Sequence, residues 1–125
     1  MSDTATIIAP EEVFRETMRE AVTVLHAASG RGGATNVANT LTSLCERPVW
    51  NEHALRMARS GLYSFHTLLV HESDPDFWVR QMTNPDGTLP AGLTDLATDI
   101  AEERLAQAKV LRTAITMVET VLRQR

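Results

Sequence analysis

Near the C-terminus, apolar residues recur every three or four positions for about thirty residues: Leu93, Leu96, Ala97, Ile100, Ala101, Leu105, Ala108, Leu111, Ile115, Val118 and Leu122. Such spacing puts one broad apolar band along one side of an α-helix. It predicts a helix over residues 90–124 or so, roughly 50 Å long at 1.5 Å per residue. A compact chain of 125 residues is only about 26 Å across. The helix end must therefore project, kink or pack on another chain. A homodimer with residues 105–122 between the chains is the expectation.

Weaker copies of the same periodicity precede it. Phe14, Met18, Ala21, Val22, Leu25 and Ala28 predict a first helix over 10–29, with Pro10 in its first turn and Gly30 as its stop. Residues 1–9 carry no such pattern and are expected to be a flexible segment, leaving 10–125 as one helical domain. Thr35 is a candidate cap for a second helix carrying Val37, Leu41, Leu44 and Cys45, which Pro48 ends. Asn51 is a candidate cap for a third, reaching Glu72, with an inner face of Ala54, Leu55, Ala58, Leu62, Phe65 and Leu69. Beside that face, Ala54, Ala58 and Gly61 form a strip of small residues suited to a close helix crossing. Asp74-Pro75-Asp76 restarts the chain as a short helix over 75–82, and Asn84-Pro85-Asp86-Gly87 reads as a turn. Strand-like alternation is missing throughout. The fold class expected is all-α: an antiparallel bundle of four main helices plus a short one.

Composition narrows the partners. Twelve basic and sixteen acidic residues give a net charge of −4, which argues against nucleic acid. The single cysteine, Cys45, supports neither an internal disulfide nor a cysteine-cluster metal site. No apolar run is long enough to cross a membrane, and Met1-Ser2-Asp3-Thr4 lacks the charged start of a signal peptide, so a cytoplasmic protein is expected.

The signatures HExxH, Walker A, GxSxG, paired CxxC and ExxH do not occur. His26, His53, His66 and His71 are not spaced as a chelating set, so no metal or cofactor is expected. Glu12, Glu16 and Glu20, and again Asp95, Asp99 and Glu103, repeat at four residues, which reads as two solvated acidic faces. The Gly30-Arg31-Gly32-Gly33 loop before a helix could hold an anion or serve only as a connection.

Arg59 and His66 lie seven residues apart, within about 20° of one helix face. An arginine and a histidine so spaced on one helix resemble the short Arg…His motif of HEPN-type helical RNases. That resemblance covers Arg59 to His66 alone and implies a catalytic pair meeting its copy across a dimer. The polar residue after the arginine is Ser60 here, and the motif falls in the middle helix rather than late in the domain.

Two features favour an interaction role. Arg104 and Gln107 fall inside the apolar band of the last helix, where an arginine needs an acid, a ligand or solvent. With Leu111 and Val118 they form the candidate dimer seam. Phe77 and Trp78 are adjacent, so one short helix cannot turn both inward easily. With Trp50 and Leu89 they form a candidate partner-binding patch. The function expected is a small non-enzymatic regulatory or adaptor protein acting through protein–protein contacts as a homodimer. The alternatives are the RNase reading on Arg59 and His66, and a bundle binding a small ligand or anion through Arg31 or Arg104.

Overall fold

The structure, a computed structural model, describes residues 2–27, 33–46 and 52–123, with side chains from Glu12 onward. Five helices make up these segments: α1 (Ser2–Ala27), α2 (Ala34–Glu46), α3 (Glu52–His71), α4 (Pro75–Met82) and α5 (Leu93–Arg123). α1 packs on α2 and α5, and α3 packs on the same two, so α1, α2, α3 and α5 close a four-cornered bundle. The short α4 packs on α5. α3 and α5 run antiparallel: Tyr63 meets Glu119, while Glu72, just past the end of α3, meets Arg104.

The core is the set of faces that the periodicity marked. Phe14, Met18, Leu25, Leu41, Leu55, Leu62, Leu111 and Ile115 are all essentially removed from water. Each such side chain contributes roughly 1.5–3 kcal/mol of burial. Two helices join at the small-residue strip. A Cβ built on Gly61 would lie 2.6 Å from Cγ2 of Val37, so α2 and α3 touch where only glycine fits. That close approach offsets the cost of about 1 kcal/mol of a glycine within a helix. At the edge of the α1–α2 pair, Arg15 Nε donates to the Cys45 carbonyl at 2.8 Å, and the Cys45 thiol donates to the Arg15 carbonyl at 3.7 Å. The guanidinium thus caps the last turn of α2, where the helix dipole favours a cation. Burial pushes the Cys45 thiol above its ordinary range, against the opposing pull of Arg19 and Arg15.

The helix ends follow local chemistry, with three departures from expectation. α1 begins at Ser2, so Pro10 lies within it and residues 2–9 extend it instead of forming a loose segment. A proline inside a helix removes one donor and crowds the carbonyl four residues back, at a cost of about 3 kcal/mol. α2 begins at Ala34, ahead of Thr35, because the Gly33 carbonyl takes the Val37 amide at 3.0 Å. α5 begins at Leu93 because Gly92, at φ +76°, stands outside right-handed helix geometry. The expected caps Gly30 and Asn51 lie outside the described residues. α4 matches its expected range: Asp74 accepts the Asp76 amide at 3.0 Å, and Pro75 occupies the first turn.

α5 is 31 residues long and α3 is 20, which correspond to about 46 and 30 Å. Only the second half of α5, from Ala108 to Val121, joins the main core cluster. The expected interchain seam therefore needs correction. Leu111 and Val118 are fully buried inside the one chain, and Gln107 is half-buried at the edge of that core. The band that suggested a second chain is filled by the chain's own helices. What projects is the other half of α5, residues 93–103, and α4 lies against it.

Candidate interaction surface

Where α5 leaves the bundle, one polar cluster holds α3, α4 and α5 together. Glu72, just past the end of α3, is 4% exposed and is the one buried charged residue among those described. Arg104 of α5 donates from Nε to Glu72 Oε1 at 3.1 Å. The Arg104 guanidinium carbon lies 5.5 Å from the centroid of the Trp78 ring. Trp78 Nε1 in turn donates to the Glu72 backbone carbonyl at 2.7 Å. A second branch runs outward from Arg104 Nη1 to Gln107 Oε1 at 3.5 Å and to Glu103 Oε1 at 3.8 Å. No buried side-chain nitrogen or oxygen lacks a partner among the described residues. The arginine that the sequence placed inside an apolar band thus meets an acid 32 residues earlier in the chain.

This clamp changes the role of the aromatic pair. Phe77 and Trp78 are both half-buried. Phe77 meets His71 edge-on, with centroids 4.8 Å apart, and meets Trp78 at 5.0 Å. Trp78 was expected to be a free anchor for a partner, yet its indole N–H and its ring face are both engaged within the chain. It ties α4 down. Leu89, another member of that patch, is 53% exposed. Trp50, the fourth member of the expected patch, lies outside the described residues.

The exposed apolar groups of the projecting half arise from its geometry. α4 covers one strip of it, and Leu93, Ala97 and Ala101 are buried. No other described helix flanks that half as α1 and α3 flank the rest of α5. The shoulders of the apolar band stay open, leaving Leu96 at 50% and Leu105 at 43% exposure although the periodicity assigned both to the core. Residues 73–104 also hold seven acidic and two basic side chains, a net charge of −5, while the other 93 residues hold nine acidic and ten basic, a net of +1. All seven acids (Asp74, Asp76, Asp86, Asp95, Asp99, Glu102 and Glu103) face solvent. Asp86 serves the turn: the Thr88 hydroxyl and then the Thr88 amide hold its carboxyl below the usual range.

Arg59 and His66 are both half-buried on α3. Nearby, Arg112 of α5 donates to the Tyr63 hydroxyl at 3.4 Å, and that hydroxyl donates to Glu119 Oε2 at 3.2 Å. Burial, and secondarily the Arg112 charge, hold His66 below its ordinary range. The sequence reading did not include Tyr63, Arg112 or Glu119, because nothing in their spacing says that α3 and α5 lie side by side. His26, His53 and His71 are exposed, and no group of three or more metal-ligating side chains converges among the described residues. The acidic ladder on α1 is exposed, and so are Asp95, Asp99 and Glu103. Gly30, Arg31 and Gly32 of the candidate anion loop lie outside the described residues, and no described helix is long and apolar enough to cross a membrane.

The chain matches no protein-family model, no curated protein and no solved structure.

Proposed function

We propose that this chain is a small non-enzymatic adaptor or regulatory module that binds another protein through the lobe formed by α4 and the first half of α5. The observation that carries the reading is the lobe itself. Eleven residues of α5, 93–103, stand beyond the end of α3, about 16 Å of helix. α4 covers one side of them, and Leu89 and Leu96 are left half in water. Exposed apolar side chains rimmed by charge are a common mark of a protein-binding surface. The clamp of Glu72, Arg104 and Trp78 supports the same role, because a lobe fixed in place loses less conformational entropy on binding.

The geometry favours a different protein over a second copy. The seam foreseen for a homodimer is occupied by the chain's own core, and two lobes each carrying net −5 repel one another. Photo-crosslinking in the source cells tests the reading. A photoreactive side chain in place of Leu96 should capture discrete protein bands. The same group in place of exposed Met57, on the outside of α3, should not. Equal labelling from both positions would count against the lobe as a binding surface. Sedimentation equilibrium at micromolar concentration separately reads self-association, with 13.8 kDa expected.

A further inference from the structure

We infer that the protein bound by this lobe presents a basic amphipathic helix, an inference that rests on the protein-binding reading above. Two features of the lobe select that chemistry. The first is a stripe along α5. Leu96, Asp99, Ile100 and Glu103 stand at positions i, i+3, i+4 and i+7, so they share one side of the helix. Leu96 is half-exposed, Ile100 is half-buried, and Asp99 and Glu103 are exposed beside them. A stripe that alternates apolar and acidic groups at helical spacing is complemented by another helix with apolar anchors at the same spacing and cations beside them.

The second feature is the segregation of charge. Residues 73–104 carry −5 while the rest of the chain carries +1, so the lobe holds the whole negative imbalance of the protein. That −5 already counts Arg104, whose guanidinium is also shared with Glu72 at 3.1 Å and approached by Glu103 at 3.8 Å. Clustered charge of one sign raises the encounter rate with a partner of the opposite sign and rejects partners of the same sign. Acids near the start of α5 also favour its helix dipole. That benefit falls off within the first turn, however, whereas Asp99, Glu102 and Glu103 lie well beyond it. The apolar groups supply affinity and the acids supply selectivity. Neither a neutral helix nor an acidic one satisfies both.

The test uses a fluorescently labelled synthetic helix of leucine and lysine, with leucines at i, i+3, i+4 and i+7. A control peptide replaces each lysine by glutamate. Anisotropy titration of the full chain should give micromolar binding of the lysine peptide, weakened as salt rises, and no binding of the glutamate peptide. Asp99→Lys with Glu103→Lys, and separately Leu96→Ser, should each weaken the lysine peptide by about tenfold or more. Circular dichroism should show unchanged helix content in both variants. The inference is overturned if the two peptides bind alike, if neither binds, or if the lobe variants bind as wild type does. Capture of proteins from the Leu96 position together with any of those outcomes would keep the protein-binding reading and remove the basic partner.

Discussion

Removing the arginine of the clamp takes an ion partner from the buried carboxylate, and the size of the effect follows from the geometry. In Arg104→Ala the Glu72 side chain, 5% exposed, loses an ion partner at 3.1 Å. Breaking a fully buried pair in this way costs about 3–5 kcal/mol. The Arg104 side chain is 23% exposed, so water reaches one side of the pair, and the lower part of that range applies. Losing the guanidinium over the Trp78 ring adds about 1 kcal/mol or less. A destabilisation of about 3–4 kcal/mol is expected in urea unfolding monitored by circular dichroism, a large share of the total for a small domain. Glu72→Gln keeps an acceptor for Arg104 and should cost about 1 kcal/mol. Combining Glu72→Gln with Arg104→Ala should cost less than the two single changes added together, because no buried charge remains. In a Trp50→Phe background, the fluorescence of Trp78, the remaining tryptophan, reports whether α4 stays docked. A loss below about 0.5 kcal/mol for Arg104→Ala, or strict additivity in the double variant, would refute the view that this pair fastens α4 and α5 to the end of α3.

Other consequences are smaller in scale. Gly61→Ala gains about 1 kcal/mol of helix propensity but forces a contact of 2.6 Å with Val37. A net loss near 1 kcal/mol is expected, and Val37→Ala should recover it; a Gly61→Ala protein more stable than wild type would contradict the close crossing. His66 is held below its ordinary value of 6.5, first by burial and then by Arg112. The unfolded chain therefore binds the proton more readily, so the contribution of His66 is complete above that value and is lost as pH falls through the lower folded value. His66→Gln should flatten the stability profile in that window, and an unchanged profile in chemical unfolding would contradict the shift. Under the adaptor reading unstructured RNA survives incubation with wild type. Cleavage that disappears in both Arg59→Ala and His66→Ala would replace that reading with the RNase one.

Much of the fold was legible because it depends on near-neighbour chemistry. The α3 face from Leu55 to Leu69 is buried where its periodicity put it, and α4 runs from Pro75 because Asp74 caps it. The sequence also flagged Arg104 as an inconsistency in the apolar band, which is a local property. It could not name Glu72 as the partner, because the pairing depends on α3 and α5 ending their contact at that level. The same limit produced the misplaced seam. Periodicity says that Leu96, Leu105, Leu111 and Val118 share a band, but not how many neighbours each half of the band has. α1 and α3 bury Leu111 and Val118, while α4 alone leaves Leu96 and Leu105 half in water. By itself the sequence determined where most of each helix lies and which side of it is apolar, since both follow from contacts within a few residues along the chain. Only the tertiary structure decided that Trp78 closes inward onto Glu72 and Arg104 and that the acidic half of α5 stands clear of the bundle. Both follow from where three separate helices end in space.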